Sequence, residues 1–442
     1  MSDTAAAAAL WSGSARATST HLKSWIGCVG VAAPALLLCC TALAAAPFAV
    51  LQRGSNPAVT GANLSETILN TSNVAPDNVF AQPLYVPAVA IPKQGTHNVL
   101  FVATMSDTLY AFDADAQGAP LWSINLATRV GAMPVPMAQI AFSGNRNIVG
   151  SLGILSTPVI DRPSHLMYVV ACTLEGGTTI ETGTMVYRLH AIDIRTGAEP
   201  LVARGTTPGT VISGTYAGLR FDARYVTQRV SLTLADNQVV FGFGAVELEY
   251  AGGYSGWVMG YDKTTLAQSG IFATVTGGTN GGGVWQSGRP PPVGPAGNVF
   301  VFTGNGYTSG YDGVQDFSES ALKLNLAKGL KRVDWFTPDN WSDLDGKDQD
   351  LSSSGPLLIP GTQLLAGGGK AGILYILNSN NLGKFTSNDS HVVQELQVSR
   401  RLAAWRAGIL ATLRSGWRTS ALCLGNARCA AGVSVHGFGD YG

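Results

Sequence analysis

Short alternating hydrophobic segments, separated by turns rich in Gly, Pro, Asp and Asn, recur from residue 78 to residue 385. Each repeat opens with a small or polar residue near Pro, continues through β-branched strands, and reaches an apolar strand that stops at Asp or Asn. Alternation with period two and turn residues at these intervals are typical of antiparallel strands. No segment with a 3.6-residue period interrupts the repeats, so the pattern predicts an all-β fold.

Five copies of the repeat can be aligned by the residue that ends the third strand. These residues are separated by 80, 69, 63 and 53 positions and are Asp113, Asp193, Asp262, Asn325 and Asn378. Such spacing fits one four-stranded blade per copy plus variable insertions, which predicts a β-propeller with about five recognisable blades. The expected fourth strands include EPLVA in the second copy and GKF in the fifth.

The first 50 residues read as a targeting segment. Residues 25–51 carry no charge, Lys23 and Arg53 flank them, and small residues at Ala42, Ala44 and Ala46 supply a cleavage signal. A cleaved signal peptide and an uncleaved membrane anchor both fit this pattern. Either alternative predicts an extracytoplasmic protein that is secreted, periplasmic or membrane-anchored and meets a membrane only through this segment.

The repeat ends near residue 398, and residues 399–442 have a different, Arg-rich composition. Apolar residues from Leu402 to Trp417 follow helical spacing, which fits a basic amphipathic helix. The alternative is an unrelated or out-of-register tail that replaces a final blade. We therefore expect three regions, 1–50, 51–398 and 399–442, with a helical or disordered tail and a propeller ring that is open or poorly closed.

Composition excludes some partners. Lys plus Arg and Asp plus Glu both number 28, so the net charge is zero and nucleic acid is not an expected partner. Three of the six Cys lie in the targeting segment, and the other three are odd in number, with Cys172 far from Cys423 and Cys429, so no disulfide framework is expected.

The segments LYAFDADAQGAPLW and LHAIDIRTGAEPL resemble the A-x-D-x-x-T-G-x-x-x-W repeat of pyrroloquinoline-quinone-type propellers, the quinoprotein alcohol dehydrogenase-like superfamily. The segments AQPLYVP, GVWQSG and AGGGKAGILYILN further resemble those of a group of exported bacterial repeat proteins whose function is not established. The first copy is one residue longer than the family spacing, and the second has Leu201 in place of Trp. The resemblance implies a propeller, and it makes pyrroloquinoline quinone and calcium the cofactors to test without firmly implying either.

Ligands of propellers usually bind where the innermost strands enter the central channel. The candidate channel and ligand-binding residues lie at or near such strand starts and are Gln82, Thr157, Trp285, Gln286, Ser287 and Lys370. Trp285 could stack on a flat cofactor or pack at a blade junction. Lys370 could meet a carboxylate or remain solvated.

The run DLDGKDQD places several carboxylates before an inner strand, and oxygen ligands of this kind suit calcium. The candidate metal ligands are Asp348, Asp350 and Asp316. A solvated acidic loop is the competing interpretation, because the spacing is not that of an EF-hand.

The sequence favours an exported, non-catalytic binding or scaffold module with a protein or small-molecule ligand at the channel rim. The alternative is a dehydrogenase of alcohols or sugars that depends on pyrroloquinoline quinone and calcium. Enzymes of the resembled superfamily place a vicinal Cys pair against the quinone, and the only such pair here, Cys39 and Cys40, lies in the targeting segment. Catalytic residues therefore stay unassigned, and the question of enzymatic activity stays open with a preference against it.

Overall fold

The computed structural model describes residues 49–53, 78–140, 148, 150–201, 207–246, 254–277, 281–306 and 310–398, together with two short strands, β27 (Leu422–Cys423) and β28 (Cys429–Ala430), which pair with each other. The targeting segment, apart from residues 49 and 50, and the predicted tail, apart from these two strands, lie outside the described residues.

Five antiparallel sheets follow one another along the sequence, and we number them blade 1 to blade 5. Blade 1 has the order β1-β2-β3-β4, with strands β1 (Leu84–Ile91), β2 (Gly95–Ala103), β3 (Thr108–Asp113) and β4 (Trp122–Asn125). Blade 2 is larger, because an inserted segment pairs with the first of its two long strands. Its strands are β5 (Met133–Pro136), β6 (Ser151–Leu152), β7 (Val159–Asp161), β8 (Leu166–Glu175), β9 (Thr184–Asp193) and β10 (Thr210–Val211).

A small hairpin, β11 (Thr215–Tyr216) and β12 (Leu219–Arg220), precedes blade 3. Blade 3 consists of β13 (Val226–Thr227), β14 (Thr233–Ala235), β15 (Gln238–Ala245), β16 (Trp257–Asp262) and β17 (Gln268–Ala273). Blade 4 consists of β18 (Val293–Gly294), β19 (Asn298–Phe302), β20 (Ala321–Asn325) and β21 (Lys331–Thr337), to which β25 (Lys384–Phe385) adds in parallel. Blade 5 consists of β22 (Leu357–Leu358), β23 (Leu364–Gly368), β24 (Ile373–Asn378) and β26 (Gln394–Gln397).

Helices are few and short in the described part of the chain. The α-helices are α1 (Leu126–Arg129), α2 (Met137–Ile140) and α3 (Trp341–Gly346). None of the helices described has the length and apolar character needed to cross a membrane. The predicted all-β fold of repeated four-stranded blades is therefore confirmed.

The five residues used to align the repeats each end the third strand of a blade, as predicted. The carboxylate Oδ1 of Asp113 accepts the N–H of Asp115, and Asp262 accepts the N–H groups of Thr264 and Thr265. Such side chains fix the turn after the strand by bonding to the backbone that follows, which explains why Asp or Asn recurs there.

One expected fourth strand is wrong. GKF does not complete blade 5, because Lys384–Phe385 pairs with β21 of blade 4, and β26 takes the outer position of blade 5. In blade 2, the described strand beside β9 is β10, and the expected strand EPLVA lies partly outside the described residues. The parallel pairing is supported by aromatic contacts, since Lys384 Nζ lies 5.2 Å from the ring centroid of Trp335 and Phe385 lies 5.7 Å from Tyr311.

The core lies between successive blades, as expected when flat sheets pack face to face around a ring. Four apolar clusters join blades 1 and 2, blades 2 and 3, blades 3 and 4, and blades 4 and 5. A fifth cluster, of Ala366, Leu374 and Ile376, belongs to blade 5 alone, and among the described residues no cluster joins blade 5 to blade 1. This arrangement is consistent with an incompletely closed ring.

Candidate functional site

Polar residues at the starts of the inner strands lie together and bond from blade to blade. The N–H of Gln82 in blade 1 donates to Thr157 Oγ1 at 2.8 Å, and the N–H of Thr157 donates to Ser231 Oγ in blade 3 at 3.2 Å. Ser231 Oγ donates to the carbonyl oxygen of Gly288, and Ser287 Oγ donates to that of Ser353 in blade 5. We call Gln82, Thr157, Ser231, Ser287 and Ser353 the inner ring.

Gln286 is also fixed by protein contacts. Its side chain is fully buried, Nε2 donates to the Arg289 carbonyl oxygen at 2.9 Å, and Oε1 accepts the N–H of Phe302 at 3.0 Å. The structure thus brings together four of the predicted channel residues, Gln82, Thr157, Gln286 and Ser287, and engages each of them in bonds within the protein. Their predicted role in ligand binding stays a prediction.

Trp285 lies beside this ring and is half-buried. A Cβ on Gly244 or on Gly283 would lie 2.7 Å from the nearest atom of its indole, so the backbone of both glycines contacts the ring closely. The guanidinium carbon of Arg229 lies 5.9 Å from the indole centroid. Of the two alternatives for Trp285, packing at a blade junction accounts for these contacts.

Lys370 pairs with the acidic loop. Its Nζ lies 2.5 Å from Asp350 Oδ2 and 3.1 Å from Asp348 Oδ1, so it meets carboxylates. Burial acts to lower the pKa of Lys370, but the charges of Asp350 and Asp348 outweigh burial and raise it. Asp350 Oδ1 also accepts the N–H of Asn305 at 3.1 Å. The protein itself therefore supplies one cation, Lys370, to the carboxylates of Asp348 and Asp350.

Glu319 extends the acidic cluster into the core between blades 4 and 5. Its carboxyl is fully buried, Oε2 accepts the N–H of Leu351 at 2.6 Å, and Oε1 has no partner among the described residues. Burial and then the charge of Asp350 raise the pKa of Glu319 well above its usual range, which favours the protonated form of the group. Burial likewise raises the pKa of Asp345 to about 6.

The third predicted metal ligand, Asp316, is buried and caps its own turn. Its Oδ1 accepts the N–H of Ser318 at 2.9 Å and the hydroxyl of the same residue at 2.5 Å. Within the described ranges, no three His, Cys, Asp or Glu side chains are grouped in a way that could hold a metal ion. Calcium ligation by Asp316, Asp348 and Asp350 stays a prediction.

Sequence reasoning missed two arginines near the inner ring, Arg53 and Arg289. Arg289 is nine-tenths buried, which is unusual for a charged side chain. Arg289 directly follows Gln286-Ser287-Gly288, a segment that the sequence places at the start of an inner strand. That position could have indicated that Arg289 lies near the channel. Arg53 had no comparable signal, since it looked like the flank of the targeting segment.

No protein-family model matches the sequence, and no curated protein is significantly similar to it. Solved structures with a similar fold include quinohemoprotein alcohol dehydrogenase ADHIIG from Pseudomonas putida HK5, at 16% identity and a TM-score of 0.44, covering 79% of this chain and 48% of that one. Quinohemoprotein alcohol dehydrogenase from Comamonas testosteroni gives 17% identity and a TM-score of 0.44, over 77% of this chain and 49% of that one. BamB from Moraxella catarrhalis gives 15% identity and a TM-score of 0.30, over 71% and 76%.

The chain spans about half the length of the two dehydrogenases. Quinohemoprotein dehydrogenases are the class that the repeat motifs resemble. The fold itself rests on the five sheets described above, and no activity is inferred from these similarities.

Proposed function

We propose that this chain is an exported quinoprotein-like β-propeller that acts as a non-catalytic binding or scaffold module. The observation that carries the proposal is the inner ring, whose polar groups bond from one blade to the next. The hydroxyl groups of Thr157, Ser231 and Ser287 bond to backbone groups in these contacts and not to a general base that would activate a nucleophile. A binding role remains open to them at the rim, where a protein or a small molecule would meet them.

The quinone alternative was tested against the residues present. A quinone dehydrogenase needs cations for the quinone carboxylates, an open aromatic face, calcium ligands and a carboxylate base. Arg53 and Arg289 would supply cations, but Trp285 has glycine backbone packed closely against its ring, Asp350 is paired with Lys370, and Glu319 is fully buried. These residues do not fit the cofactor, and their engagement within the protein supports a non-catalytic role.

Export is the second part of the proposal and rests on the uncharged targeting segment before the repeat. With zero net charge, the chain has no general attraction for nucleic acid, so protein and small-molecule ligands are the proposed partners.

The proposal is tested on full-length protein purified after cell fractionation. We expect the chain outside the cytoplasm, an absorbance spectrum without a quinone band, and no dye reduction with alcohols or sugars after addition of pyrroloquinoline quinone and calcium. A glucose or methanol dehydrogenase assayed in parallel controls for reconstitution. Substrate-dependent dye reduction by this chain would overturn the non-catalytic proposal, and an intact protein confined to the cytoplasm would overturn export.

A further inference from the structure

A short N-terminal segment brings one arginine into the middle of the blades. Val50 pairs with Tyr85 of β1 through N–H···O bonds of 2.7 and 3.0 Å, and the Leu51 carbonyl oxygen accepts the N–H of Ile160 at 2.6 Å. The segment is thereby fixed between blades 1 and 2. Arg53 then reaches blade 4, where its Nη1 lies 2.5 Å from the position that a Cβ on Gly288 would occupy. A side chain at Gly288 would have to displace the Arg53 guanidinium from this position.

A second arginine, Arg289, starts from the residue next to Gly288. The Nε2 of Gln286 donates a hydrogen bond to the carbonyl oxygen of Arg289. The side chain of Arg289 lies against Gly355 of blade 5, where an added Cβ would be 2.9 Å from Arg289 Cβ and Cδ. Gly288 thus lies against the guanidinium of Arg53, and Gly355 lies against the aliphatic stem of Arg289.

The two cations are close enough to disfavour each other. Burial lowers the pKa of both arginines, and the charge of Arg53 lowers that of Arg289 further, to about 10. A guanidinium keeps its charge in proteins at neutral pH, and the pKa of Arg289 stays well above 7. Among the ion pairs between described residues, none involves Arg53.

Two buried side chains close in sequence to this region have a hydrogen-bond donor without an acceptor among the described residues. Gln52, next to Arg53 in the chain, is 5% exposed, and its Nε2 has no acceptor among the described residues. Ser353, two residues before Gly355, is 7% exposed, and its Oγ is likewise without a partner in the described part of the chain. A buried donor without an acceptor is unfavourable, and an oxyanion supplies several acceptor atoms at once.

We propose that the inner ring binds an oxyanion, the carboxylate or phosphate group of a small ligand, held by Arg53 and Arg289. Planar guanidinium groups recognise both anions through paired N–H···O bonds. The assignment rests on the proposed binding function and names the ligand chemistry that it would use. Anion binding requires no catalysis, so its absence would leave the non-catalytic proposal standing. Dehydrogenase activity would overturn the non-catalytic proposal and leave anion binding untouched.

Binding is measured on the full chain by calorimetry and by the change in Tm, with inorganic phosphate in one arm and succinate in the other, at constant ionic strength set with chloride. We expect saturable binding of at least one anion and a higher Tm in its presence. Binding of phosphate alone assigns a phosphate ligand, and binding of succinate alone assigns a carboxylate ligand. Absence of binding in both arms would overturn the proposal.

The variants Arg53→Gln and Arg289→Gln separate binding from folding. Each should weaken the anion affinity roughly tenfold or more, because a charge-assisted hydrogen bond is lost. Without anion, Arg53→Gln should be at least as stable as the wild type, since the repulsion between the two cations is removed, and far-UV circular dichroism checks that Arg289→Gln is folded. Arg220→Gln changes an exposed arginine of β12 and serves as the control, with unchanged affinity. Equal affinity in the wild type and both inner-ring variants would contradict the assignment.

Discussion

At the scale of single residues, the inner ring shows how one hydroxyl can join two blades. Thr157 is fully buried; its Oγ1 accepts from Gln82, and its N–H donates to Ser231. The side chain that sequence reasoning assigned to ligand binding therefore has a structural role that can be measured.

Thr157→Val should destabilise the fold by about 1–3 kcal/mol, because the N–H of Gln82 loses its acceptor while the volume of the side chain is kept. Thr157→Ser retains the hydroxyl and should cost less. Thr184→Val, at an exposed position of β9, is the control and should be nearly neutral. Urea unfolding gives the free energies. If Thr157→Val unfolds at the wild-type urea concentration, the hydroxyl link does not contribute to stability.

At the scale of elements, the ends of the third strands could be predicted from sequence because the signal is local. An Asp or Asn that bonds to the backbone two residues later marks a turn wherever the fold places it. The partner of GKF could not be predicted in the same way, because its pairing with β21 depends on residues 48 positions away, as Phe336 and Lys384 illustrate. Strand existence is a local property, whereas the choice of sheet edge is a tertiary one.

The same distinction separates the parts of the candidate site. The inner-ring residues were found because each lies at a strand start. Arg53 and Arg289 were missed because their burial results from glycines in other blades or in the neighbouring turn, and nothing in their own segments indicates it. The pairing of Lys370 with Asp350 was left open for the same reason.

Packing of blade 4 on blade 5 depends on a glycine of a central strand. A Cβ on Gly367 in β23 would lie 2.3 Å from Cε2 of Phe302, a fully buried ring at the end of β19. Gly367→Ala should therefore destabilise the protein by about 1–3 kcal/mol, because the two sheets must separate or the ring must leave its rotamer. Gly118→Ala, where no atom lies within 4 Å of the added methyl group, is the matched control. Equal thermal stability of the two variants would show that blade 5 adjusts without cost.

At the scale of the whole molecule, buried and exposed carboxyl groups affect stability in opposite directions. Glu319 and Asp345 have raised pKa values, as has Asp389, where burial and then Asp339 raise the pKa to about 7. Groups of this kind bind protons more tightly in the folded state, so their contribution to stability is lost as the pH rises. Hydrogen bonds to Thr264 lower the pKa of Asp262 to about 2, so its contribution is lost only as the pH falls towards that value.

Stability should therefore be greatest near pH 5 and should decline towards pH 8, and Glu319 should contribute to that decline. Above the pKa of an unfolded Glu, folding of the wild type takes up one proton at Glu319, which reduces stability by up to about 1.4 kcal/mol per pH unit. Glu319→Gln keeps an acceptor for the N–H of Leu351 and takes up no proton, so it should gain stability relative to the wild type as the pH rises. Glu181→Gln, at an exposed position, should leave the profile unchanged. Urea unfolding at pH 5, 6.5 and 8 measures the difference, and parallel profiles for Glu319→Gln and the wild type would show that Glu319 is ionised in the folded protein.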